Sequence, residues 1–427
     1  MTLAIQCGTL IDGSGRDPIR NAVVLVEGTT ITEVREGGEM PRGAEVIDAS
    51  GLTVMPGMID CHVHLTSSPP KTMEQRLGTP FSLSIAEALT NARKTLDAGI
   101  TSVRDAGGTP RGVKMAIEQG LFPGPRMRVA ISAISQTGGH GDSTMLNGVR
   151  IRVPNAEIPD NLVDGPEGAR KTTREILRAG ADQVKIMTSG GVLSPNDEPG
   201  ATGMTREEIA AVVYEAHAAH KTVMSHAQAT QGILNAVLEG VESIEHGIYL
   251  DEQTVTEMKA RGTYLVATLV APVWVLRLAE RNPGSVPAYA VRKSKEVIQA
   301  HQASFRYAFE QGVRIAMGTD TGVGPHGTNA EELELMVKHG GLTPMQAIVA
   351  TTATAAACAR LDNVTGSVAA GLRADLIAVD GDPLGDITLL QDAAKLRLIM
   401  KDGVVHKDET QALARPDRAA GESSSAM

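Results

Sequence analysis

Hydrophobic and polar positions divide this chain into two β-rich ends and a long middle in which apolar runs alternate with helix-like segments. Short apolar runs punctuated by turn dipeptides such as Asp12-Gly13 predict strands near both ends. The predicted strands are Leu3–Ile5, Ala22–Val26, Thr30–Val34, Ala44–Ile47, Ala374–Val379 and Leu396–Val405. We therefore expect both ends of the chain to contribute to one small β-sandwich domain.

The middle of the chain predicts parallel strands joined by crossover helices. Eight apolar runs are strand-like: Met58–Leu65, Thr101–Asp105, Arg128–Ala133, Gln183–Thr188, Thr222–His226, Ser243–Gly247, Tyr264–Leu269 and Arg314–Asp320. Helical segments between them include Ser84–Asp97, Arg206–His220 and Ala290–Gln311. Thr205 and Glu208 have the spacing of a capping box. Eight such repeats are typical of an α/β fold with a closed (β/α)8 barrel of the TIM type.

These patterns predict four segments of chain. Residues 1–56 form the first part of the β-sandwich domain, 57–361 the barrel, 362–408 the second part of the sandwich, and 409–427 a disordered tail. Within the barrel segment, the Ala/Thr-rich stretch Pro344–Leu361 predicts one further helix.

Composition narrows the class of protein. The chain has 427 residues, of which 42% are hydrophobic and 2% aromatic, so a large aliphatic core is available. Acidic and basic residues are interspersed with a net charge of −10, which argues against nucleic acid or an anionic membrane as a partner. Cys7, Cys61 and Cys358 form no CxxC pair, and no run of about 20 apolar residues occurs. We expect a cytoplasmic protein.

One stretch carries candidate metal chemistry, Pro56-Gly-Met-Ile-Asp-Cys-His-Val-His64. If it is a strand, period-two alternation places His62 and His64 on one face with Asp60, and Cys61 on the other, in the core. Neutral imidazole is a common metal ligand, so the pair is a candidate half of a metal site. A pair of structural histidines is an equally good interpretation of this spacing alone.

Polar residues in or at the ends of other predicted strands favour the metal site. Lys185 lies in strand four, while His226, His246 and Asp320 end strands five, six and eight. Catalytic residues of a barrel gather at the carboxyl ends of its strands, where such groups find partners.

These residues identify a resemblance to the amidohydrolase superfamily. It is carried by the His62 and His64 motif, Lys185, His226, Ile244-Glu-His246-Gly and Met317-Gly-Thr-Asp320, and it covers nearly the whole chain. Thr137-Gly-Gly-His140-Gly-Asp142 and Gly324-Pro-His-Gly-Thr-Asn329 resemble the imidazolonepropionase-related branch, which contains Xaa-Pro dipeptidases and ochratoxin-type amidases.

The resemblance implies a site with two divalent metal ions, zinc in the first place. His62, His64 and Asp320 would bind one ion and His226 and His246 the other. Lys185 would bridge them as a carbamate, because an ammonium group has no lone pair for a metal. The two ions would share a hydroxide that attacks an amide carbonyl, with Asp320 transferring the proton. His140 would stabilise the carbonyl oxygen or the developing oxyanion.

Substrate contacts are less well defined. Where dipeptidase-like members place a tyrosine for the substrate carboxylate, this chain has Gln228, which is uncharged. Tyr249 and Arg152 are alternative anchors, and His326 follows strand eight near the predicted pocket mouth. We predict a structural role for His301. The only tryptophan, Trp274, lies in a predicted loop, Val270–Pro287, and suits either a bulky substrate group or the core.

The function that these residues favour is amide hydrolysis of N-acyl amino acids or dipeptides, including arylamides of the ochratoxin A type. A cyclic-amide hydrolase or a deaminase of the same superfamily is the alternative. A non-catalytic barrel scaffold is a third interpretation, which the complete ligand set disfavours. The resemblance also implies a homo-oligomer and a small-molecule amide or dipeptide as the partner.

Overall fold

The computed structural model describes residues 2–37, 40–68, 75, 78–145, 147–150 and 155–410, and it has a mixed α/β fold. The mixed α/β class predicted from the sequence is therefore confirmed. The predicted disordered tail lies outside the described residues.

Strands from both ends of the chain form one eight-stranded sheet. Its main path runs β18-β17-β16-β5-β1-β3-β4, and β2 pairs with the edge of β1. β1 and β5 are parallel, whereas the other pairs are antiparallel. The strands are β1 Thr2–Leu10, β2 Ile19–Arg20, β3 Ala22–Glu27, β4 Thr30–Glu36, β5 Glu45–Pro56, β16 Leu376–Val379, β17 Leu396–Lys401 and β18 Val404–Asp408.

Parallel strands make up the middle of the chain. A three-stranded sheet has the order β6-β7-β8, and a seven-stranded sheet has the order β10-β9-β11-β12-β13-β14-β15. The strands are β6 Met58–Val63, β7 Ile100–Asp105, β8 Arg126–Val129, β9 Ala133–Gln136, β10 Leu162–Val163, β11 Gln183–Met187, β12 Thr222–Ala227, β13 Ser243–His246, β14 Tyr264–Val266 and β15 Arg314–Ile315.

Backbone hydrogen bonds link the first of these strands to the chain after β15. The amide of Cys61 donates to Met317 O at 2.9 Å, and that of His64 donates to Thr321 O at 2.7 Å. Residues 316–321 therefore lie alongside β6, although they are not a regular strand as the sequence predicted.

Eleven α-helices occur in the described part of the chain. They are α1 Phe81–Asp97, α2 Arg111–Glu118, α3 Gly165–Arg178, α4 Arg206–Ala218, α5 Thr230–Leu238, α6 Glu252–Arg261, α7 Val270–Arg281, α8 Ala288–Glu310, α9 Glu331–Lys338, α10 Pro344–Thr351 and α11 Ala353–Cys358. The predicted capping box is confirmed, because Thr205 Oγ1 accepts from the Glu208 amide while the Glu208 carboxylate accepts from the Thr205 amide.

Two helical predictions are wrong in detail. The predicted single helix Pro344–Leu361 is broken at Thr352, whose φ of −122° and ψ of −96° lie outside the helical region, so α10 and α11 are separate. The predicted loop Val270–Pro287 is helical over Val270–Arg281. Its apolar residues form the buried face of this helix. In a segment this short, the order of apolar residues in the sequence does not distinguish a helix from a loop.

Two further observations concern possible membrane spans and the cysteines. None of the helices in the described part of the chain has both the length and the apolar composition needed to cross a bilayer. Cys7, Cys61 and Cys358 are buried free thiols, and Cys61 packs away from the two neighbouring histidines, as alternation along β6 predicted.

Candidate metal centre

The two predicted histidines of β6 lie side by side at its carboxyl end. Their ring centroids are 5.4 Å apart. His62 is only 1% exposed, whereas the His64 side chain is 24% exposed. The strand therefore presents one buried imidazole and one partly exposed imidazole.

Neighbouring parallel strands bring two further imidazoles to the same place. In the sheet register, His226 of β12 pairs with Glu245 of β13, and Ala227 pairs with His246. The rings of His226 and His246 are 4.6 Å apart, and His246 lies 5.2 Å from His62. The four predicted histidines thus form one contiguous cluster.

Asp320 places a carboxylate against this cluster. Its Oδ1 lies 3.5 Å from Nε2 of His62 and 3.3 Å from Nε2 of His64. Candidate ligand atoms of His62, His246 and Asp320 all lie within 4.8 Å of one another. Nitrogen and oxygen donors at this separation suit a divalent transition metal ion. The group takes His62 and Asp320 from one predicted ligand set and His246 from the other, so it fits a metal ion but matches neither predicted set alone.

Partners behind the rings fix which nitrogen of each histidine faces the centre. Nδ1 of His62 is 2.7 Å from Glu245 Oε2, and Nδ1 of His64 is 2.9 Å from Gly107 O. Carboxylate and carbonyl oxygens only accept, so Nδ1 carries the proton and Nε2 keeps its lone pair. Such partners are the usual outer contacts of metal-binding histidines.

His226 and His246 are oriented in a similar way. Nε2 of His226 donates to Gly190 O at 3.0 Å, which leaves Nδ1 free, and Nδ1 of His246 is 2.7 Å from Thr268 Oγ1. His246 and Asp320 have positive φ angles of 72° and 60°, so the chain turns sharply where these side chains point inward.

The electrostatics favour the neutral form of three imidazoles and the charged form of the carboxylate. Burial lowers the pKa of His62, His226 and His246 well below the usual value, so their lone pairs are available. His64 differs, because burial lowers its pKa but contacts with Asp320 outweigh that effect and raise it. Burial acts to raise the pKa of Asp320, but the neighbouring His62 and His64 overcome it and hold that pKa well below its usual range. Anionic Asp320 is therefore the negative charge that a metal cation would meet.

Lys185 lies buried in β11, and its side chain has no hydrogen-bond or ion-pair partner among the described residues. Burial lowers its pKa from 10.5 to about 8, so a substantial fraction of this amine is uncharged near neutral to mildly alkaline pH. A buried ammonium group requires compensation, and the charges of Glu245 and Asp320 offset only part of the effect of burial on Lys185. Its chemistry is that of a nucleophilic amine.

His140 stacks on the cluster from the loop that follows β9. Its ring lies 4.1 Å from that of His226 with an interplanar angle of 15°. Nδ1 of His140 is 2.8 Å from Ser194 Oγ. The predicted loop histidine is thus brought to the metal cluster rather than to the protein surface.

A cavity opens above these rings and is mainly aliphatic. His140, His226, His246 and Asp320 line its polar side. Among the described residues that line it there is no lysine or arginine. The aliphatic side is formed by helices α7 and α8 and by the segments that follow β11, β13 and β15. Its residues include Val192, Leu193, Ile248, Val275, Val297 and Val323.

Gln228 lines the same cavity as His140, whereas the predicted substrate contacts Tyr249 and His326 do not. The Gln228 side chain is 5% exposed, and its Oε1 has no hydrogen-bond partner. Tyr249 packs beside the cavity against Val192 and Ile248. His326 is buried and bonds Ser67 O at 2.7 Å, so contacts of Tyr249 and His326 with substrate stay predictions.

Two other sequence alternatives can be placed. Trp274 is 4% exposed in α7, and its Nε1 donates to Glu331 Oε2 at 3.3 Å, which agrees with the core interpretation. Arg152 lies outside the described residues.

Several residues of the site were not predicted from the sequence. Arg104 bridges Glu245 and the backbone oxygen of Cys61, and it is buried with both. His301 has the structural role that was predicted, because Nε2 donates to the backbone oxygens of His246 and Ala267, but it also lines the cavity. Glu245 was not predicted either, although its position next to His246 in the sequence could have indicated a role. A histidine that binds a metal usually has a carboxylate or carbonyl partner on its outer nitrogen.

Comparisons with known proteins identify the family of this chain. The amidohydrolase family model matches residues 53–405. The ochratoxinase of Aspergillus niger is 32% identical over 421 residues, which cover 94% of this chain and 86% of that protein. The imidazolonepropionase of Cutibacterium acnes is 24% identical over 374 residues, 84% of each chain. A crystal structure of a Xaa-Pro dipeptidase with bound methionine superimposes with a TM-score of 0.89 at 32% identity, covering 95% of this chain and all of that one.

Proposed function

Because this chain belongs to the amidohydrolase family and is a hydrolase of amide C–N bonds, we propose that it uses two divalent metal ions to cleave N-acyl amino acids or dipeptides, including arylamides of the ochratoxin A type. The observation that carries the proposal is the convergence of His62, His246 and Asp320, whose ligand atoms lie within 4.8 Å of one another, at a cavity that His246 and Asp320 line. The 32% identity with ochratoxinase supports the substrate class.

In this proposal His62, His64 and Asp320 hold one metal ion, and His226 and His246 hold the other. Ligand atoms of His62 and His246 lie within 4.8 Å of each other. Outer partners leave Nε2 of His62 and His64 and Nδ1 of His226 available for a metal. When bound, two divalent cations supply a water of lowered pKa and polarise the substrate carbonyl. Zinc is the first candidate because it favours imidazole and carboxylate ligands.

Lys185 would complete the ligand set as a carbamate. The uncharged amine nitrogen attacks the carbon of carbon dioxide, an N–C bond forms, and one proton is released to solvent, which leaves an oxygen ligand of charge −1. Burial favours this reaction because it lowers the pKa of Lys185 to about 8.

Asp320 and His140 would handle the proton and the carbonyl oxygen. Asp320 orients the attacking water, accepts its proton and delivers that proton to the departing amine. His140 turns its Nε2 edge to the substrate carbonyl, because Ser194 occupies Nδ1. A donor to the developing oxyanion contributes roughly 3 kcal/mol to lowering the barrier.

The cavity favours a substrate with an apolar group beside the scissile amide. Its wall is aliphatic, and Gln228 supplies a hydrogen-bonding side chain with an unpaired oxygen. The Gln228 side-chain amide can donate its N–H to a substrate carboxylate. It can also bind a substrate amide, with its N–H as donor and its oxygen as acceptor. Tyr249 and His326 would contribute only if the substrate extends beyond the cavity.

The test is a hydrolysis screen of purified protein supplied with zinc and bicarbonate. We expect release of phenylalanine from ochratoxin A and N-acyl-phenylalanine, or release of proline from Xaa-Pro dipeptides, together with about two metal ions per chain by elemental analysis. Inactivity on these amides with turnover of an imidazolone or an aminoheterocycle would replace the proposal with a cyclic-amide hydrolase or deaminase. That alternative is favoured by the similarity to imidazolonepropionase. A protein that binds no metal would be a scaffold.

The proposal also covers the closure of the strands into a barrel and the assembly of the protein. We propose that the parallel strands form a closed (β/α)8 barrel over 57–361 and that the end segments 1–56 and 362–408 form a β-sandwich. Hydrogen bonds from Cys61 and His64 to the chain after β15 support closure. A homo-oligomer and a cytoplasmic location stay predictions, and light scattering of the purified protein tests the first of them.

A further inference from the structure

The loop that follows β11 contacts the Nδ1 edge of the His140 ring. Ser194 Oγ lies 2.8 Å from Nδ1 of His140, and the Ser194 hydroxyl is in a short hydrogen bond with Asp197 Oδ1. Oδ2 of Asp197 lies 3.7 Å from the same Nδ1. Both loop side chains therefore act on one edge of one ring.

Hydrogen-bond directions fix how this set is connected. The Asp197 carboxylate only accepts, and its pKa is lowered because contacts with His140 and Ser194 outweigh the effect of burial. The single hydroxyl proton of Ser194 is used toward Asp197, so Ser194 Oγ accepts from Nδ1–H of His140. Nε2 is then the ring nitrogen that remains available to a substrate in the cavity that His140 lines.

Asp197 is held for this contact by more than its own loop. The amide of Gly191 donates to Asp197 Oδ1 at 3.2 Å. Lys293 of α8 is completely buried, and its Nζ lies 3.7 Å from the same oxygen. Oδ2 is buried with no hydrogen-bond partner, although a buried carboxylate oxygen normally has one. The unpaired oxygen faces the His140 ring.

Lys293 also fixes the backbone of the loop. Its Nζ donates to the backbone oxygens of Gly191 at 3.1 Å and Ser194 at 2.8 Å, and also to that of Asp197. Three carbonyls from one loop thus converge on a single ammonium group. Each of these hydrogen bonds holds a different residue of the loop. The buried Lys293 therefore fixes the loop conformation in addition to filling space.

Gly191 leaves the space that the His140 ring occupies. A Cβ at this position would lie 2.2 Å from Cε1 of His140, so only glycine fits. The ring is therefore enclosed between the Gly191 backbone and the stacked His226 ring. Its plane and its edge are both constrained before any substrate arrives.

We propose that Ser194, Asp197 and Lys293 are positioning residues that hold His140 with its Nε2 edge directed at the substrate carbonyl. This proposal rests on the proposed function, because His140 contacts substrate only there. Ser194 fixes the ring edge, Asp197 fixes Ser194, and Lys293 fixes the loop that carries both. The Asp197 carboxylate also supplies a negative charge beside the ring when Nε2 donates to the oxygen.

The experiment compares Ser194→Ala and Asp197→Asn with the matched control Glu198→Gln, using the full-length protein loaded with zinc. Glu198 is the next residue of the loop and forms an exposed ion pair with Arg292. We expect the first two variants to lower kcat by about 10- to 100-fold and to leave KM within about threefold, because a misplaced catalytic contact acts mainly on the transition state. Glu198→Gln should match the wild type.

A double mutant separates positioning from general destabilisation. If Ser194 acts only through His140, adding Ser194→Ala to His140→Ala should cause no further loss of kcat. Crystal structures of the metal-free variants give a readout that needs no activity: we expect the His140 ring to leave its stack on His226 in Ser194→Ala and to keep it in Glu198→Gln.

The outcomes distinguish this proposal from the function it rests on. A wild type inactive on every amide refutes the proposed function, and the crystal structures then decide the positioning role alone. A ring unmoved in Ser194→Ala would overturn that role. With an active wild type, kcat within twofold of wild type in Ser194→Ala and Asp197→Asn, or losses that add to that of His140→Ala, would overturn it as well.

Discussion

Glu245 accepts a hydrogen bond of 2.7 Å from His62, and the two side chains are 0% and 1% exposed. The second oxygen of Glu245 accepts from Arg104 at 2.8 Å. A buried carboxylate thus holds a candidate metal ligand on one side and neutralises a buried guanidinium on the other. The orientation of His62 in the candidate metal centre therefore depends on the negative charge of Glu245.

Replacing Glu245 by Gln should weaken metal binding, because the amide orients His62 poorly and makes it a weaker base. Loss of such an outer partner lowers metal affinity by about 10- to 100-fold. It should also lower the free energy of unfolding by roughly 3 kcal/mol, since Arg104 loses its buried counter-charge. Zinc competition with a chelator and urea unfolding measure the two effects. Glu296→Gln, at an exposed ion pair, is the control, and an unaltered zinc affinity in Glu245→Gln would contradict the role.

Asp320→Asn should keep the fold and lose most turnover. Asparagine tolerates the positive φ of 60° at this position, so the backbone is not strained by the change. The amide cannot accept and return a proton, and we expect kcat to fall by about 10²- to 10⁴-fold. Steady-state kinetics and thermal unfolding test this, with the surface variant Asp362→Asn as the comparison. Wild-type turnover in Asp320→Asn would exclude proton transfer by this group.

Lys185 should take up carbon dioxide. With a pKa lowered to about 8 by burial, the reactive amine fraction increases as the pH rises from about 6 to 8. Protein incubated with ¹³C-bicarbonate and zinc is expected to show a carbamate signal in ¹³C NMR. The signal should be absent from Lys185→Met and retained in Lys171→Met, a change at an exposed helix position. A signal that survives Lys185→Met would assign the carbamate to another amine.

Because of Glu332 in α9, the protein should lose stability as the pH rises from mildly acid values through neutrality. Burial raises its pKa from 4.5 to about 8, although the amides of Leu269 and Val270 oppose the shift. Between about pH 4.5 and 8 the folded protein keeps a proton that the unfolded chain has released, so the free energy of unfolding falls as pH rises, by up to about 1.4 kcal/mol per unit.

Urea unfolding between about pH 5 and 8 measures that slope. Glu332→Gln should make it shallower, because the uncharged amide has no proton to lose, and Glu257→Gln on an exposed helix face should not change it. Equal slopes in wild type and Glu332→Gln would mean that Glu332 does not titrate in this range.

Local patterns were sufficient for part of this molecule. Alternation along β6 placed Cys61 in the core, and the spacing of Thr205 and Glu208 predicted a capping box that is present. Both depend on contacts within a few residues, which a single sequence records directly. The resemblance added which strand ends carry the candidate ligands, and those residues do lie together.

Contacts between distant segments were beyond the sequence. The carbonyls that bind Lys293 lie about one hundred positions earlier in the chain, and neither loop nor helix carries a motif that pairs them. The break at Thr352 depends on backbone angles that a helix-favouring composition conceals. Trp274 was equally compatible with a substrate pocket and with the core, because the geometry of α7 decides between them.

Helix α8 contacts parts of the candidate site that follow different strands of the parallel sheet. Lys293, Val297 and His301 recur every fourth residue along α8, and they contact the loop after β11, the cavity and the backbone of His246 respectively. The loop after β11 is therefore not a module that can be exchanged alone. Grafting it from a relative to alter substrate range would require the matching face of α8 to be transplanted with it.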